Sequence, residues 1–333
     1  LASPIGTATQ SGHTPCRALW IERAEHCELK EEQLRQRRDN EVLVRTLYTG
    51  ISRGTEALVF KGAVPSTEFE RMRGPHMEGD FSFPVKYGYS SVGIVEEGPA
   101  DVVGKAVFCL HPHQNVFVTA KDMVTALPER LPPARAVLAA NMETALNIVW
   151  DAVIQPGDRV AVFGGGVVGT MVANLSNRIA GTDTVLVDTN PERRHHAEAI
   201  GLAFIEAGNL EGDFDVLINA SASGEALAQA ILHAGMEARI VEASWYGDKS
   251  VTIPLGGSFH SRRLSLVSSQ VGSIPKLHSA RWTFGRRMAK ALELLLDDTL
   301  DHLISGETAF ADLAGDYPRI LSSQDTLCHR IHY

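Results

Sequence analysis

Arg159-Val160-Ala161-Val162-Phe163-Gly164-Gly165-Gly166-Val167-Val168-Gly169 is the stretch that decides the fold. Its first five residues form a short apolar run without alternation, the pattern of a strand buried on both faces. Gly164, Gly166 and Gly169 fit G-x-G-x-x-G, and a helix over Val168 to Ile179, carrying Met171, Val172 and Leu175, follows at once. A strand that turns on glycines into a helix presents free backbone N–H groups at the helix's partly positive amino end. Absent side chains at the glycines let a diphosphate approach that backbone. Gly164, Gly166, Val167, Val168 and Gly169 are therefore the expected contacts of a dinucleotide, the plain alternative being a turn that binds nothing.

Working outward, Asp183 to Val187 (DTVLV) reads as a second buried strand ending in Asp188, about twenty residues past the turn. A carboxylate there accepts hydrogen bonds from the adenosine ribose hydroxyls and repels a 2′-phosphate, so NAD is expected over NADP. Arg193 and Arg194 lie close by and are of the type that binds phosphate, and a solvated strand end is the other reading of Asp188. Further units follow in Pro191 to Ile200, Asp215 to Ile218, Glu225 to Ala234, Ala238 to Glu242, Leu264 to Ser268 and Arg286 to Asp297. Repeated βα units imply an α/β fold with a doubly wound parallel sheet. Ligands in such sheets lie at the carboxyl ends of strands, which puts Ala220 and Ser221, Ser244 and Trp245, and Ser269 and Gln270 along the cofactor. Trp245 can equally be a hydrophobic plug.

Upstream, Ala134 to Ala152 has helical periodicity, and before it the pattern changes. Glu41 to Tyr48, Ser91 to Glu96, Lys105 to Leu110 and Asn115 to Thr119 are short, partly alternating runs separated by glycine or proline, an all-β signature. Ser66 to Pro84 reads as a long polar surface loop. The tail, Phe310 to Tyr333, reads as short segments ending in a strand over Thr326 to His332 that rejoins the first domain. The expected organisation is a Rossmann domain over 135–299 inserted in a β-rich domain of 1–134 and 300–333. A length of 333 residues, at ~150 per domain, agrees with two.

Composition narrows the function. Forty acidic against 31 basic residues give a net charge of −9, which repels nucleic-acid backbones. No apolar run reaches the ~18 to 20 residues of a membrane span. Four cysteines, Cys16, Cys27, Cys109 and Cys328, lack the short spacings of a zinc knuckle and read as free thiols in a reducing cytoplasm. Leu1 to Thr14 lacks the pattern of a secretory signal and reads as a frayed end. The expected partner is a small-molecule substrate, with no nucleic acid and no membrane.

Gly50-Ile51-Ser52-Arg53-Gly54-Thr55-Glu56, Pro84 to Gly98 (PVKYGYSSVGIVEEG) and Gln155-Pro156-Gly157-Asp158 ahead of the glycine turn together resemble the medium-chain dehydrogenase/reductase superfamily, which contains zinc alcohol dehydrogenases and quinone reductases. Locally, the first two runs are similar to the branch containing bacteriochlorophyllide a dehydrogenase. The resemblance implies a GroES-like substrate domain, a homodimer, and NAD(P)(H)-dependent hydride transfer to or from an alcohol, carbonyl or activated alkene. It places Thr144 beside the nicotinamide. A dinucleotide-binding redox sensor or structural module without turnover is the rival reading.

Zinc members hold a catalytic ion with about three protein ligands. Here the cysteine position falls on Ser52 or Arg53, Gly-His-Glu reads Gly88-Tyr89-Ser90, and the third ligand falls at Ala140 or Asn141. Neutral hydroxyls and amides hold Zn²⁺ poorly, so no metal ligands and no zinc are expected. Hydrogen-bond donors must then stabilise the developing oxyanion. Tyr89, Ser52 and Ser90 are the candidates, with Tyr89 as a packed aromatic the alternative. Glu143 is either a cleft carboxylate or a solvated helix charge. Arg53 either reaches the pyrophosphate or lies on the surface, and His111 and His113 are proton relays, occasional metal ligands or an exposed coincidence.

Overall fold

The computed structural model describes residues 16–333; the reading of Leu1 to Thr14 lies outside them. The chain opens with the hairpin β1 (Cys16–Arg23) and β2 (His26–Glu32), then a long strand β3 (Glu41–Ser52) that runs straight into helix α1 (Arg53–Phe60). Strands β4 (Glu78–Gly79), β5 (Val85–Lys86), β6 (Ser91–Glu97), β7 (Ala106–Cys109), β8 (Val116–Ala120) and β9 (Val124–Ala126) follow. Valines buried at alternate positions, Val42 and Val44 on β3 for example, set which face of the strand meets the core. The 66–84 loop is less superficial than its charges imply, because Met77 and Phe81 are buried in the β-rich core.

The helix expected over 134–152 is two pieces, α2 (Pro133–Ala136) and α3 (Ala139–Ala152). Alternation then runs through β10 (Arg159–Phe163), α4 (Val167–Asn177), β11 (Asp183–Asp188), α5 (Arg193–Ala199), β12 (Ala203–Glu206), β13 (Phe214–Asn219), α6 (Gly224–His233), β14 (Ala234–Glu242), β15 (Ser265–Ser268), α7 (Lys276–Ser279) and α8 (Phe284–Leu294). The chain closes with β16 (Ile304–Ala309), α9 (Leu313–Ser322) and β17 (Cys328–His332).

Strands β10 to β15 form one sheet of parallel pairs in the order β12-β11-β10-β13-β14-β15. Strand order reverses between β10 and β13, and the crevice at their carboxyl ends is where such sheets bind ligands. A second sheet runs β16-β17-β3-β6-β7-β9, with β8 also on β3, and a third runs β2-β1-β5-β4. Antiparallel pairing of β17 with β3 returns the tail to the first unit. The fold is thus a Rossmann unit joined to a β-rich, GroES-like unit. Met142, Ala145 and Ile148 of α3 share one buried cluster with Val160, Val162 and Met171 of the parallel sheet layer and with Val92 and Phe108 of the β-rich unit, so α3 sits at the join. Among the described residues, no helix is long and apolar enough to cross a membrane.

Candidate coenzyme and active site

The three glycines of the turn divide the work between them. Gly164 has φ +107°, and a Cβ there would lie 2.9 Å from the Ala220 carbonyl carbon and oxygen, so the ends of β10 and β13 abut. At Gly169 a Cβ would run into the Gly164 carbonyl oxygen, which is why α4 can pack this closely on the turn. Gly166, the N-cap of α4, has nothing within 4 Å of its would-be Cβ. Open space beside the first N–H groups of α4, at Val167, Val168 and Gly169, is a cradle that fits a diphosphate.

Asp188, at the end of β11, is aimed at this turn: its Oδ2 accepts from Gly165 N at 2.5 Å and its Oδ1 from Asn190 N at 2.7 Å. The Arg193 stem lies against Gly165, but its buried guanidinium donates to the carbonyls of Gln324 and Asp325. Arg194 pairs with Glu206 at 3.4 Å. Both arginines thus have partners within the protein, Arg193 buried and Arg194 at the surface. Arg53, heading α1, is partly exposed, and its charge is felt at Arg193, which brings the end of β3 to the side of the glycine turn.

The remaining strand-end residues are ordered by local bonds. Ala220 N donates to Phe163 O at 2.8 Å, and Ser221 Oγ donates to Asn219 Oδ1 at 2.6 Å. Ser244 Oγ accepts from Ala222 N at 2.9 Å, while Trp245 packs on the core of the β-rich unit, as a plug would. Ser269 Oγ donates to Asp151 Oδ2 at 2.6 Å, and Gln270 Oε1 accepts from Gly272 N at 2.7 Å. Thr144 Oγ1 donates back to Ala140 O at 2.9 Å within α3.

Ser52, Tyr89 and Asn141, three positions where the resemblance puts metal ligands, come together. Asn141 Nδ2 donates to Ser52 Oγ at 3.1 Å, and the Ser52 and Thr55 side chains lie near enough to the Tyr89 phenol to favour its ionised form, against burial. Burial pushes the Tyr89 phenol up to about 12, and the Glu56 carboxylate nearby works in the same direction. This donor set is neutral and already bonded to itself, which does not fit Zn²⁺. Among the described residues, no group of three or more His, Cys, Asp or Glu is placed to hold a metal ion, and the four cysteines are buried free thiols.

Two candidate catalytic residues need correction. Ser90 is 2% exposed, and its Oγ donates to Val137 O at 2.5 Å, so it pins α2 to the β-rich sheet and has no donor left for a substrate. Glu143 is neither a cleft carboxylate nor a solvated charge. It is buried and ion-paired with Arg287 Nε at 3.0 Å; burial pushes its carboxyl up, against the pull of Arg287. His111 and His113 are likewise not exposed: His111 stacks on Phe117 with ring centroids 3.8 Å apart. His113 bridges Thr49 Oγ1 at 2.7 Å and Glu56 Oε2 at 3.0 Å.

Glu56 escaped the sequence reading although it lies in the Gly50–Glu56 run. Fully buried, it accepts from Ser52 N at 2.7 Å and from Tyr317 Oη at 2.8 Å as well as meeting His113. It anchors the backbone of Ser52. The signal that could have found it is the acidic residue four positions beyond Ser52; its partners, far away in the chain, carry no spacing rule.

A two-unit chain with a phosphate cradle at the sheet's switch point and a polar cluster on the β-rich side defines a dinucleotide-binding fold of the medium-chain dehydrogenase/reductase type. Comparison with known proteins agrees: the chain is similar to zinc-type alcohol dehydrogenase-like and medium-chain dehydrogenase proteins. It is 22% identical over 265 residues to an uncharacterized zinc-type alcohol dehydrogenase-like protein of Haemophilus influenzae, covering 69% of this chain and 76% of that one. It is 26% identical over 247 residues to 2-desacetyl-2-hydroxyethyl bacteriochlorophyllide A dehydrogenase of Cereibacter sphaeroides, covering 66% and 70%. A solved structure described as a short chain alcohol dehydrogenase of Escherichia coli CFT073 with NADH superposes at a TM-score of 0.77, with 15% identity over 96% of this chain and 99% of the other. No family model matches the chain.

Proposed function

We propose that the protein is a zinc-independent, nicotinamide-dinucleotide-linked oxidoreductase acting on an alcohol or carbonyl substrate, or on an activated alkene. The open cradle at Gly166, on a turn built by Gly164 and Gly169, carries the reading. NAD(H), when bound, supplies or takes the hydride at C4 of its nicotinamide. Asp188 favours the unphosphorylated ribose, and the engagement of Arg193 and Arg194 elsewhere removes the usual partners of a 2′-phosphate. Residues 135–299 form the coenzyme unit, and the other described residues form the substrate unit.

In the metal position, Tyr89 donates its O–H to the substrate oxygen as negative charge develops there. Ser52 and Asn141 hold the phenol in place, and Glu56 fixes Ser52 through its backbone N–H. Turnover, and not mere binding, is supported by this cluster and by relatives that are dehydrogenases. We also infer a cytoplasmic homodimer formed through the β15 edge of the parallel sheet.

Calorimetry with NADH and NADPH, a panel of carbonyl compounds and elemental analysis test the proposal together. NADH is expected to bind at least about tenfold tighter than NADPH, and activity to survive chelation. Absence of heat at millimolar coenzyme overturns the dinucleotide reading. Near one zinc per chain, lost together with activity, overturns the metal-free one.

A further inference from the structure

Arg287 of α8 is 2% exposed and has three partners: Glu143 Oε1 at 3.0 Å from Nε, Asn147 Oδ1 at 2.5 Å from Nη1, and Val271 O at 2.6 Å from Nη2. Asn147, fully buried on α3, donates through Nδ2 to Asp151 Oδ2 at 3.1 Å and to Ser269 Oγ and Gln270 O at 3.4 Å each. Asp151 Oδ2 also accepts from Ser269 Oγ. Every residue of the 269–271 segment leaving β15 is thus tied to α3, directly or through α8.

The placement of these ties matters because a dinucleotide crosses the switch point. A coenzyme whose adenosine ribose met Asp188 on the side of β11 would carry its nicotinamide half toward β14 and β15. A buried ion pair adds little net stability, since desolvation offsets the attraction, but removing one partner leaves an uncompensated buried charge at a large cost, so the two sides stay together. We propose that Arg287 and Asn147 are positioning residues for the nicotinamide half of the coenzyme, acting through residues 269–271 without touching the coenzyme themselves. The proposal rests on the dinucleotide reading above.

The full-length chain and its Asn147→Ala and Arg287→Met variants are titrated by calorimetry with NADH and with ADP-ribose, which lacks the nicotinamide. Each variant is expected to lose about tenfold in NADH affinity while ADP-ribose binds within about twofold of wild type. A structural role alone moves both ligands together. Equal losses for the two ligands, or no loss for either, overturn the proposal. Arg287→Met strands the buried Glu143 carboxylate and can fail to fold; Asn147→Ala keeps that ion pair and then decides. Wild-type protein that binds neither ligand overturns the dinucleotide reading itself, and this inference with it.

Discussion

In the proposed reaction Tyr89 bears the heaviest chemical demand of any side chain near the join, since it stands where relatives are described as zinc-type. Tyr89→Phe is expected to lower kcat at least about tenfold while NADH affinity, measured by calorimetry, stays unchanged. Normal turnover of that variant would leave Tyr89 as packing. Because its phenol is pushed up to about 12, the neutral, donating form persists throughout the working range. Turnover is therefore expected to show no loss attributable to Tyr89 as pH rises from 6 to 9, in a stopped-flow pH series. The resemblance pointed to Tyr89, to Ser52 or Arg53 and to Ala140 or Asn141, and the structure brings Ser52 and Asn141 into contact. Ser90 and Glu143 were misread because their partners, Val137 O and Arg287, follow from tertiary packing and leave no local pattern.

At the scale of elements, the strand, turn and helix around the glycines were legible because their pattern is contiguous in sequence, although the close approach that requires Gly164 comes from Ala220, far along the chain. Gly169→Ala drives a methyl into the Gly164 carbonyl, so α4 must shift; a loss of about 1–3 kcal/mol in stability and of coenzyme binding is expected, read by thermal melts and calorimetry. Gly166→Ala faces open space, so its melting temperature is expected to hold while NADH affinity falls. A Gly166→Ala variant that binds NADH normally would move the diphosphate elsewhere. Other elements were opaque for identifiable reasons. Strand β2, HCELKEE, is largely polar and lies at a sheet edge, so its apolar alternation is too weak to read. Helix α9 contains Pro318, which argues against a helix until Leu313, Tyr317, Ile320 and Leu321 are seen buried along one face.

At the scale of the whole molecule, the two units meet at a seam that sequence could not supply. Gly247, at φ +66°, follows Trp245 in the loop after β14 and faces α1 and its trailing turn: a Cβ there would sit 2.6 Å from Ala63 O and 3.1 Å from Leu58 Cδ2. Gly247→Val is expected to wedge the units apart, raising KM for substrate about tenfold or more while ADP-ribose affinity holds. Unchanged steady-state kinetics would show that the seam plays no part in the reaction.

Helix α3 offers one more consequence. It carries Asn141, bonded to Ser52, and Asn147, bonded to the 269–271 segment, six residues apart on a single rigid rod. A rise of 1.5 Å per residue sets that interval at about 9 Å along the axis. Breathing of the two halves would slide the tryptophan seam but leave this ruler unstretched, so the spacing between the Ser52 cluster and the 269–271 segment holds while the seam around it varies.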